Sequence, residues 1–144
     1  MNLSPNFTLE EMVFSQTAKR LGLDNTPNSE TVHNLTRLCG YMEHVRSLLG
    51  NKAIVVSSGY RSPSVNAAIG GAPTSMHQYG LAIDFTCPSF GSPFNVATYL
   101  AKFKLPWVDQ MIYEYRSWVH LGVAFENKAP RNQYLSIVEG MRVS

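Results

Sequence analysis

A histidine and a carboxylate, His77 and Asp84, lie seven positions apart in a segment that could hold a metal ion. The apolar run at residues 81–85 follows a glycine and precedes a proline, which predicts a short buried strand. Because side chains alternate along a strand, Asp84 would share one face with Ala82. Burying a carboxylate is costly unless a partner compensates it, and a metal ion is one such partner.

His120 is the candidate for a third ligand. Two imidazole nitrogens and one carboxylate oxygen leave the fourth position of a tetrahedral Zn²⁺ open, which is the arrangement of a catalytic site. Taken singly, each residue has an ordinary explanation: a lone histidine in an apolar segment is more often a hydrogen-bonded core residue. The joint pattern predicts one Zn²⁺ per chain at His77, Asp84 and His120.

The composition predicts one folded domain spanning residues 1–144. Hydrophobic residues make up 44% of the chain and charged residues 15%, which excludes a disordered, highly charged protein. A net charge of +2, with no run of Lys or Arg, argues against nucleic-acid binding. No apolar stretch reaches the roughly 18–20 residues of a membrane span. We expect a monomer.

The two cysteines and the N-terminal segment indicate in which cellular compartment the protein would be found. Cys39 and Cys87 are not in a CxxC spacing, so we expect buried, reduced thiols rather than a disulfide or a thiolate zinc site. Residues 1–5 have neither a basic region nor an apolar core, so we expect no signal peptide.

Helix signals dominate the first third of the chain. Thr8 and Glu11 form a capping box that predicts a short helix, and residues 19–27 are predicted to be a loop. Ser29 is predicted to cap a long helix that Gly50 closes. Its apolar face has the helical spacing of three and four: Val32, Leu35, Leu38, Met42, Val45 and Leu49.

Strand signals follow, with two helices among them. The predicted strands are residues 53–57, 81–85, 111–115, 118–123 and 134–138. The predicted helices are residues 64–69 and a helix capped by Ser92 that continues to about Lys104. Helices first and strands later indicate an α+β fold, with a small antiparallel sheet and helices packed on one side.

Three motifs together carry a family resemblance. They are S-S-G-Y-R-S at residues 57–62, S-x-H-x-x-G-x-A-x-D at residues 75–84 and W-V-H at residues 118–120. The chain resembles the zinc D-alanyl-D-alanine metallopeptidases of the hedgehog-type fold, and more narrowly the small phage and prophage peptidoglycan peptidases. The resemblance implies that His77, Asp84 and His120 are the zinc ligands and that the partner is bacterial peptidoglycan.

The resemblance also implies roles for residues around the metal. Arg61 would grip a substrate carboxylate, which a planar guanidinium can do through two charge-assisted hydrogen bonds. Ser75 would orient the loop of the first histidine, and Ser75 or Tyr60 would lie near the developing oxyanion. Gln110 is expected to hydrogen-bond substrate.

The general base is predicted to be Glu114. Many relatives have an acid three positions before the last zinc histidine, but Ser117 occupies that position here. Glu114 would point to the same face as His120 if the loop between the two strands holds three residues. A two-residue loop would turn it away. We predict the longer loop, with Asp109 as the second candidate.

The expected function is zinc-dependent hydrolysis of peptide bonds in the stem peptide or cross-link of peptidoglycan. D-Ala-D-Ala carboxypeptidase, cross-link endopeptidase and L-Ala-D-Glu endopeptidase activities are all compatible with these ligands. By the phage-type resemblance, the protein would be made in the host cytoplasm and act on the wall after release during lysis. Two alternatives remain: a zinc-bearing wall-binding module without turnover, and a structural component of the virion.

Overall fold

The computed structural model describes residues 1–137 and forms an α+β fold around a five-stranded sheet. The strands are β1 (Asn2–Ser4), β2 (Phe7–Thr8), β3 (Val55–Ser58), β4 (Ala82–Thr86), β5 (Val108–Glu114), β6 (Trp118–Val123) and β7 (Gln133–Ile137). The helices are α1 (Leu9–Val13), α2 (Gln16–Leu21), α3 (Ser29–Leu48), α4 (Pro63–Ala68) and α5 (Pro93–Ala101). A short 3-10 turn occupies Met76–Tyr79.

The large sheet has the order β3-β4-β6-β5-β7, and β1 and β2 form a separate hairpin. Neighbouring strands are antiparallel except β5 and β7, which are parallel. The prediction of an antiparallel sheet was therefore wrong at this edge. The segment 124–132 carries the chain from the end of β6 back to the start of β5, so β7 runs in the direction of β5. The predicted strand at residues 134–138 corresponds to β7, although Val138 lies outside the described residues.

Helix α3 contributes its buried side chains to the same hydrophobic core as the large sheet. Its N-cap is Asn28, whose side chain accepts a hydrogen bond from the backbone N–H of Thr31, and not Ser29 as predicted. Gly50 follows the helix with a φ of 78°, as expected of a residue that closes a helix in the left-handed conformation. Five residues of the predicted apolar face are fully buried: Leu35, Leu38, Met42, Val45 and Leu49.

The sequence-based predictions are confirmed for some of the short helices and wrong for others. The Thr8 and Glu11 capping box forms at the start of α1. Helix α2 overlaps the predicted loop at residues 19–27, because the Ser15 side chain accepts from the backbone N–H of Ala18 and starts a helix there. Helix α5 begins after Ser92 as predicted and ends at Ala101.

The two faces of the central strands have different environments. Ile83 and Phe85 on β4 and Leu121 on β6 are fully buried in the core against the α3 side chains. The intervening residues Asp84 and His120 project to the opposite face. Truncating one of these core side chains to alanine would cost about 2–5 kcal/mol, so the core fixes the strand register on which the opposite face depends.

Two further expectations concern cysteines and membranes. Cys39 and Cys87 are both buried and free, as predicted. Among the described residues, none of the helices has the length and apolar character needed to cross a bilayer.

Candidate metal centre

Asp84 and His120 are brought together by the pairing of β4 with β6. They are directly opposite each other in the antiparallel register, and His120 Nδ1 lies 2.8 Å from Asp84 Oδ1. The Asp84 side chain is almost completely buried and that of His120 is 14% exposed. Two adjacent strands therefore supply one oxygen and one nitrogen at a single point on the sheet.

His77 comes to the same point from the 3-10 turn that precedes β4. The Ser75 hydroxyl accepts a hydrogen bond from the backbone N–H of His77 and caps this turn. His77 Nδ1 donates to the Gly59 carbonyl at 2.7 Å. This bond fixes the ring orientation and leaves the lone pair of Nε2 directed at Asp84.

The donor atoms of this group fit a metal ion. His77, Asp84 and His120 each offer one ligand atom, and these atoms all lie within 4.8 Å of one another. His77 Nε2 is buried 3.3 Å from Asp84 Oδ1 and forms no hydrogen bond with any residue that the structure describes. A nitrogen lone pair facing a carboxylate oxygen is two acceptors in contact, and a cation between them would satisfy both.

The pKa values of the group differ in direction. Burial lowers the pKa of His77, and its interaction with Asp84 does not offset this. Burial also acts to lower the pKa of His120, but the hydrogen bond and charge of Asp84, with Glu114, outweigh burial and raise it. For Asp84, burial opposes ionisation, yet His77 and His120 together hold its pKa well below the usual range. Of the two histidines, His120 therefore holds its proton more tightly, and a metal ion would have to displace that proton in order to bind.

Arg61 forms one wall of the site. Its Nε donates to the Ser58 hydroxyl at 3.1 Å and its Nη1 to Asn66 Oδ1 at 3.0 Å. Nη2 lies 3.5 Å from Asp84 Oδ2, and the side chain is only 11% exposed. These contacts orient the guanidinium toward the metal group, where the sequence predicted a carboxylate-binding arginine.

Glu114 lies beside His120, as the three-residue loop requires. It pairs with Trp118 across β5 and β6, with residues 115–117 forming the loop, and the longer of the two loops considered is confirmed. Glu114 Oε1 is 3.5 Å from His120 Nδ1, and the carboxylate is 13% exposed. The gap between the Glu114 carboxylate and the metal ligands is therefore no wider than one water molecule.

Asp109, the second candidate for the base, has a different environment. Arg131 donates to both of its carboxylate oxygens, with Nη2 2.8 Å from Oδ2 and Nε 3.1 Å from Oδ1. The hydrogen bonds from Arg131 lower the pKa of Asp109. Asp109 does not line the cleft that contains His77 and His120.

The site opens into a cleft with a volume of about 540 Å³. Its lining includes the metal group together with Arg61, Ser75, Gln110, Glu114, Trp118 and Arg131. Gln110, which was predicted to hydrogen-bond substrate, lines the cleft, and its side chain donates to Gln133 Oε1 at 2.8 Å. Arg131 was not predicted, because nothing in its local sequence indicates that β7 adds to this side of the sheet.

Tyr60 lies outside this cleft, contrary to the expectation that it would be near the oxyanion. It is 7% exposed, and it lines a neighbouring depression with Phe14 and Val65. Burial raises the pKa of its hydroxyl. The alternation of side chains after β3 directs Arg61 into the cleft and Tyr60 away from it.

The family comparison covers the part of the chain that contains this site. The model of the family described as Peptidase M15 matches residues 5–122, a segment that contains all three residues of the metal group. Over 50 residues the chain is 40% identical to the zinc D-Ala-D-Ala carboxypeptidase of Streptomyces albus G. That similarity covers 35% of this chain and 20% of the relative. The chain belongs to the peptidase M15 family, which confirms the resemblance to the zinc D-alanyl-D-alanine metallopeptidases that was inferred from its motifs.

Proposed function

We propose that this protein is a zinc-dependent peptidase that hydrolyses peptide bonds in bacterial peptidoglycan, with His77, Asp84 and His120 as the zinc ligands. The observation that carries the proposal is the buried His77 Nε2, which faces Asp84 Oδ1 at 3.3 Å without a hydrogen bond among the described residues. Membership of the peptidase M15 family and similarity to a zinc D-Ala-D-Ala carboxypeptidase support both the metal and the wall substrate.

Zinc held by these residues would polarise the scissile carbonyl and make a water molecule nucleophilic near neutral pH. Glu114 would accept the proton of the attacking water, and the distance of 3.5 Å between its Oε1 and His120 Nδ1 supports this role. The same carboxylate then delivers the proton to the leaving amine. Each step uses a single, partly buried acid on the metal side of the sheet.

Arg61 would hold a substrate carboxylate. Its guanidinium is oriented by Ser58 and Asn66 and lines the cleft. A bidentate contact with a carboxylate would fix the peptide so that the scissile carbonyl faces the metal group. The stem peptide of the wall offers such carboxylates at its terminus and on its acidic residues. Gln110 lines the same cleft and would hydrogen-bond the substrate.

The biological setting we propose is phage-type host lysis, supported by the resemblance of the three motifs to small phage and prophage peptidases. The enzyme would accumulate inside the host and reach the wall once a separate protein permeabilises the inner membrane. Expression alone should then be tolerated, and lysis should follow only after membrane damage. Lysis on expression without membrane damage would contradict this setting.

A digest of purified peptidoglycan tests the activity directly. The wild-type protein is incubated with the wall polymer as purified, after chelation, and after chelation followed by added Zn²⁺. Mass spectrometry of the released peptides should show new ends in the first and third samples, and those ends identify the bond. Sedimentation with the wall but no release of peptides, with zinc bound, would show a wall-binding module instead of an enzyme.

A further inference from the structure

Arg131 occupies a fixed position in the cleft that the mechanism above does not use. Its backbone N–H donates to Asp109 Oδ1 at 2.9 Å, and its Nε and Nη2 donate to the two carboxylate oxygens. Asp109 is 6% exposed, whereas the Arg131 side chain is 50% exposed. A buried carboxylate thus holds a solvent-accessible guanidinium in one orientation, which reduces the entropy lost when that guanidinium binds a ligand.

The hydrogen bonds to Asp109, which clamp Arg131 in place, leave part of its guanidinium available to the cleft. Among residues 1–137, the guanidinium of Arg131 donates hydrogen bonds to Asp109, and these use Nε and Nη2. Nη1 is on the other side of the planar group, and Arg131 contributes to the cleft wall. The start of β7 is further anchored by Asn132, whose side chain donates to the Val108 carbonyl at 2.8 Å.

Arg61 and Arg131 lie on opposite sides of the metal group. In the strand order β3-β4-β6-β5-β7, Arg61 contacts Ser58 of β3 and Asp84 of β4, while Arg131 contacts Asp109 of β5. The ligands Asp84 and His120 are on β4 and β6, between the two arginines. The strands that the two arginines contact are two to three strand spacings apart, which is about 10–14 Å across the sheet.

We infer that Arg131 binds a second substrate carboxylate, on the opposite side of the scissile bond from the carboxylate held by Arg61. The substrate class is then a peptide with acidic groups on both sides of the bond that is cut. An extended peptide spans about 3.3–3.6 Å per residue, so the two carboxylates belong to residues about three or four positions apart. This inference rests on the proposed function and narrows its substrate.

The carboxylate site is a feature of this chain beyond the family match. The match to the family ends at residue 122, and Arg131 and β7 follow it. Asp109, inside the match, acts as a positioning residue because it contacts Arg131 and not the cleft. The segment after β6 therefore adds a residue that selects the substrate to a metal site that the preceding residues form.

Two synthetic acidic peptides test the inference. They share one sequence that the wild type cleaves, and they differ only in whether the carboxylate on the Arg131 side is free or converted to an amide. The wild type should have a KM roughly 10- to 100-fold lower for the free carboxylate, since a charged hydrogen-bonded contact is lost in the amide. In Arg131→Gln this preference should disappear, with kcat on the amide substrate retained.

Controls separate a binding role from a structural one. Lys128→Gln removes the same charge three positions earlier, outside the cleft lining, and should keep the full preference. Asp109→Asn should reduce the preference with kcat retained, because Arg131 loses its clamp. Thermal unfolding and zinc content, measured for each variant, report on folding independently of turnover.

Three results would overturn the inference. One is a wild type that cleaves both peptides with equal KM, which leaves the proposed function intact. Another is an Arg131→Gln variant that loses activity equally on both peptides. That result would mean that the Asp109–Arg131 ion pair only stabilises the position of β7. A zinc-loaded wild type that cleaves neither these peptides nor purified peptidoglycan would remove the proposed function and the inference together.

Discussion

Asp84 and His120 are paired across two antiparallel strands so that His120 Nδ1 lies 2.8 Å from Asp84 Oδ1. The pairing places a carboxylate and an imidazole on the sheet face opposite the core. A shift of one residue in either strand would turn that side chain into the core, where Ile83 and Leu121 are fully buried. The hydrophobic packing on one face therefore determines the geometry of the ligands on the other.

Glu114→Gln should keep zinc and lose activity. The amide is nearly isosteric with the carboxylate but cannot accept the proton of the attacking water, so the rate should fall roughly 10²–10⁴-fold. Turnover of a peptidoglycan-derived peptide and zinc content are measured on the same preparation. Asp109→Asn serves as the matched control and should retain much more of kcat. An active Glu114→Gln together with an inactive Asp109→Asn would show that Glu114 is not the base.

Arg61→Ala should weaken turnover while zinc remains bound. Losing one partner of a buried charge-assisted contact costs about 2–5 kcal/mol in transition-state stabilisation. Arg61→Lys should recover only part of this loss, because an ammonium cannot make the bidentate contact. The measurement is kcat/KM for all three proteins, with zinc content determined in parallel. Equal kcat/KM values would make Arg61 a structural residue of the loop after β3.

Gly59→Ala should weaken metal binding, although Gly59 is not itself a metal ligand. A Cβ at residue 59 would lie 2.2 Å from the Met12 carbonyl oxygen, so the backbone must move. The Gly59 carbonyl accepts the hydrogen bond from His77 Nδ1, and such a partner typically affects metal affinity 10- to 100-fold. Competition with a zinc-binding dye measures the affinity.

The control for that variant is Gly40→Ala in helix α3, where a Cβ would meet nothing within 4 Å. It should leave zinc affinity unchanged and stabilise the helix by about 0.5–1 kcal/mol. If Gly59→Ala binds zinc as tightly as Gly40→Ala does, the Gly59 carbonyl does not position His77.

The native thiols should resist modification. Burial raises the pKa of Cys39 to about 12, so near pH 8 the residue stays protonated, and the thiolate that reacts with disulfide reagents forms only at much higher pH. Cys87 is also buried. A chromogenic disulfide reagent should therefore react slowly with the folded protein and rapidly with both thiols in denaturant. Fast reaction of Cys39 in the native state would contradict its placement in the core.

The metal group could be predicted because its signals are local. The spacing of His77 and Asp84, the strand alternation that directs Asp84 away from the core and the later W-V-H motif can all be identified in the sequence. The α+β class followed from the order of the elements. Helix α2 was missed because the predicted loop was started at residue 19, whereas the helix breakers Gly22, Asn25 and Pro27 all follow the helix that Ser15 caps.

Other features of the site depend on contacts that leave no local signal. The loop before β6 has Tyr115 and Arg116 in the left-handed conformation, with φ of 52° and 59°, although neither is a glycine. No glycine therefore marked the loop length, and the position of Glu114 depended on a choice between two registers. Arg131 reaches the cleft only because β7 pairs in parallel with β5, a contact between distant segments.

The zinc content of the purified protein tests the central claim most directly. Protein prepared without added metal is analysed for zinc per chain, alongside His77→Ala, His120→Ala and the control His44→Ala, whose imidazole lies on the exposed face of α3. We predict about one zinc ion per chain in the wild type and in His44→Ala, and far less in the two ligand variants. Full zinc content in His77→Ala and His120→Ala would contradict the assignment of the metal centre.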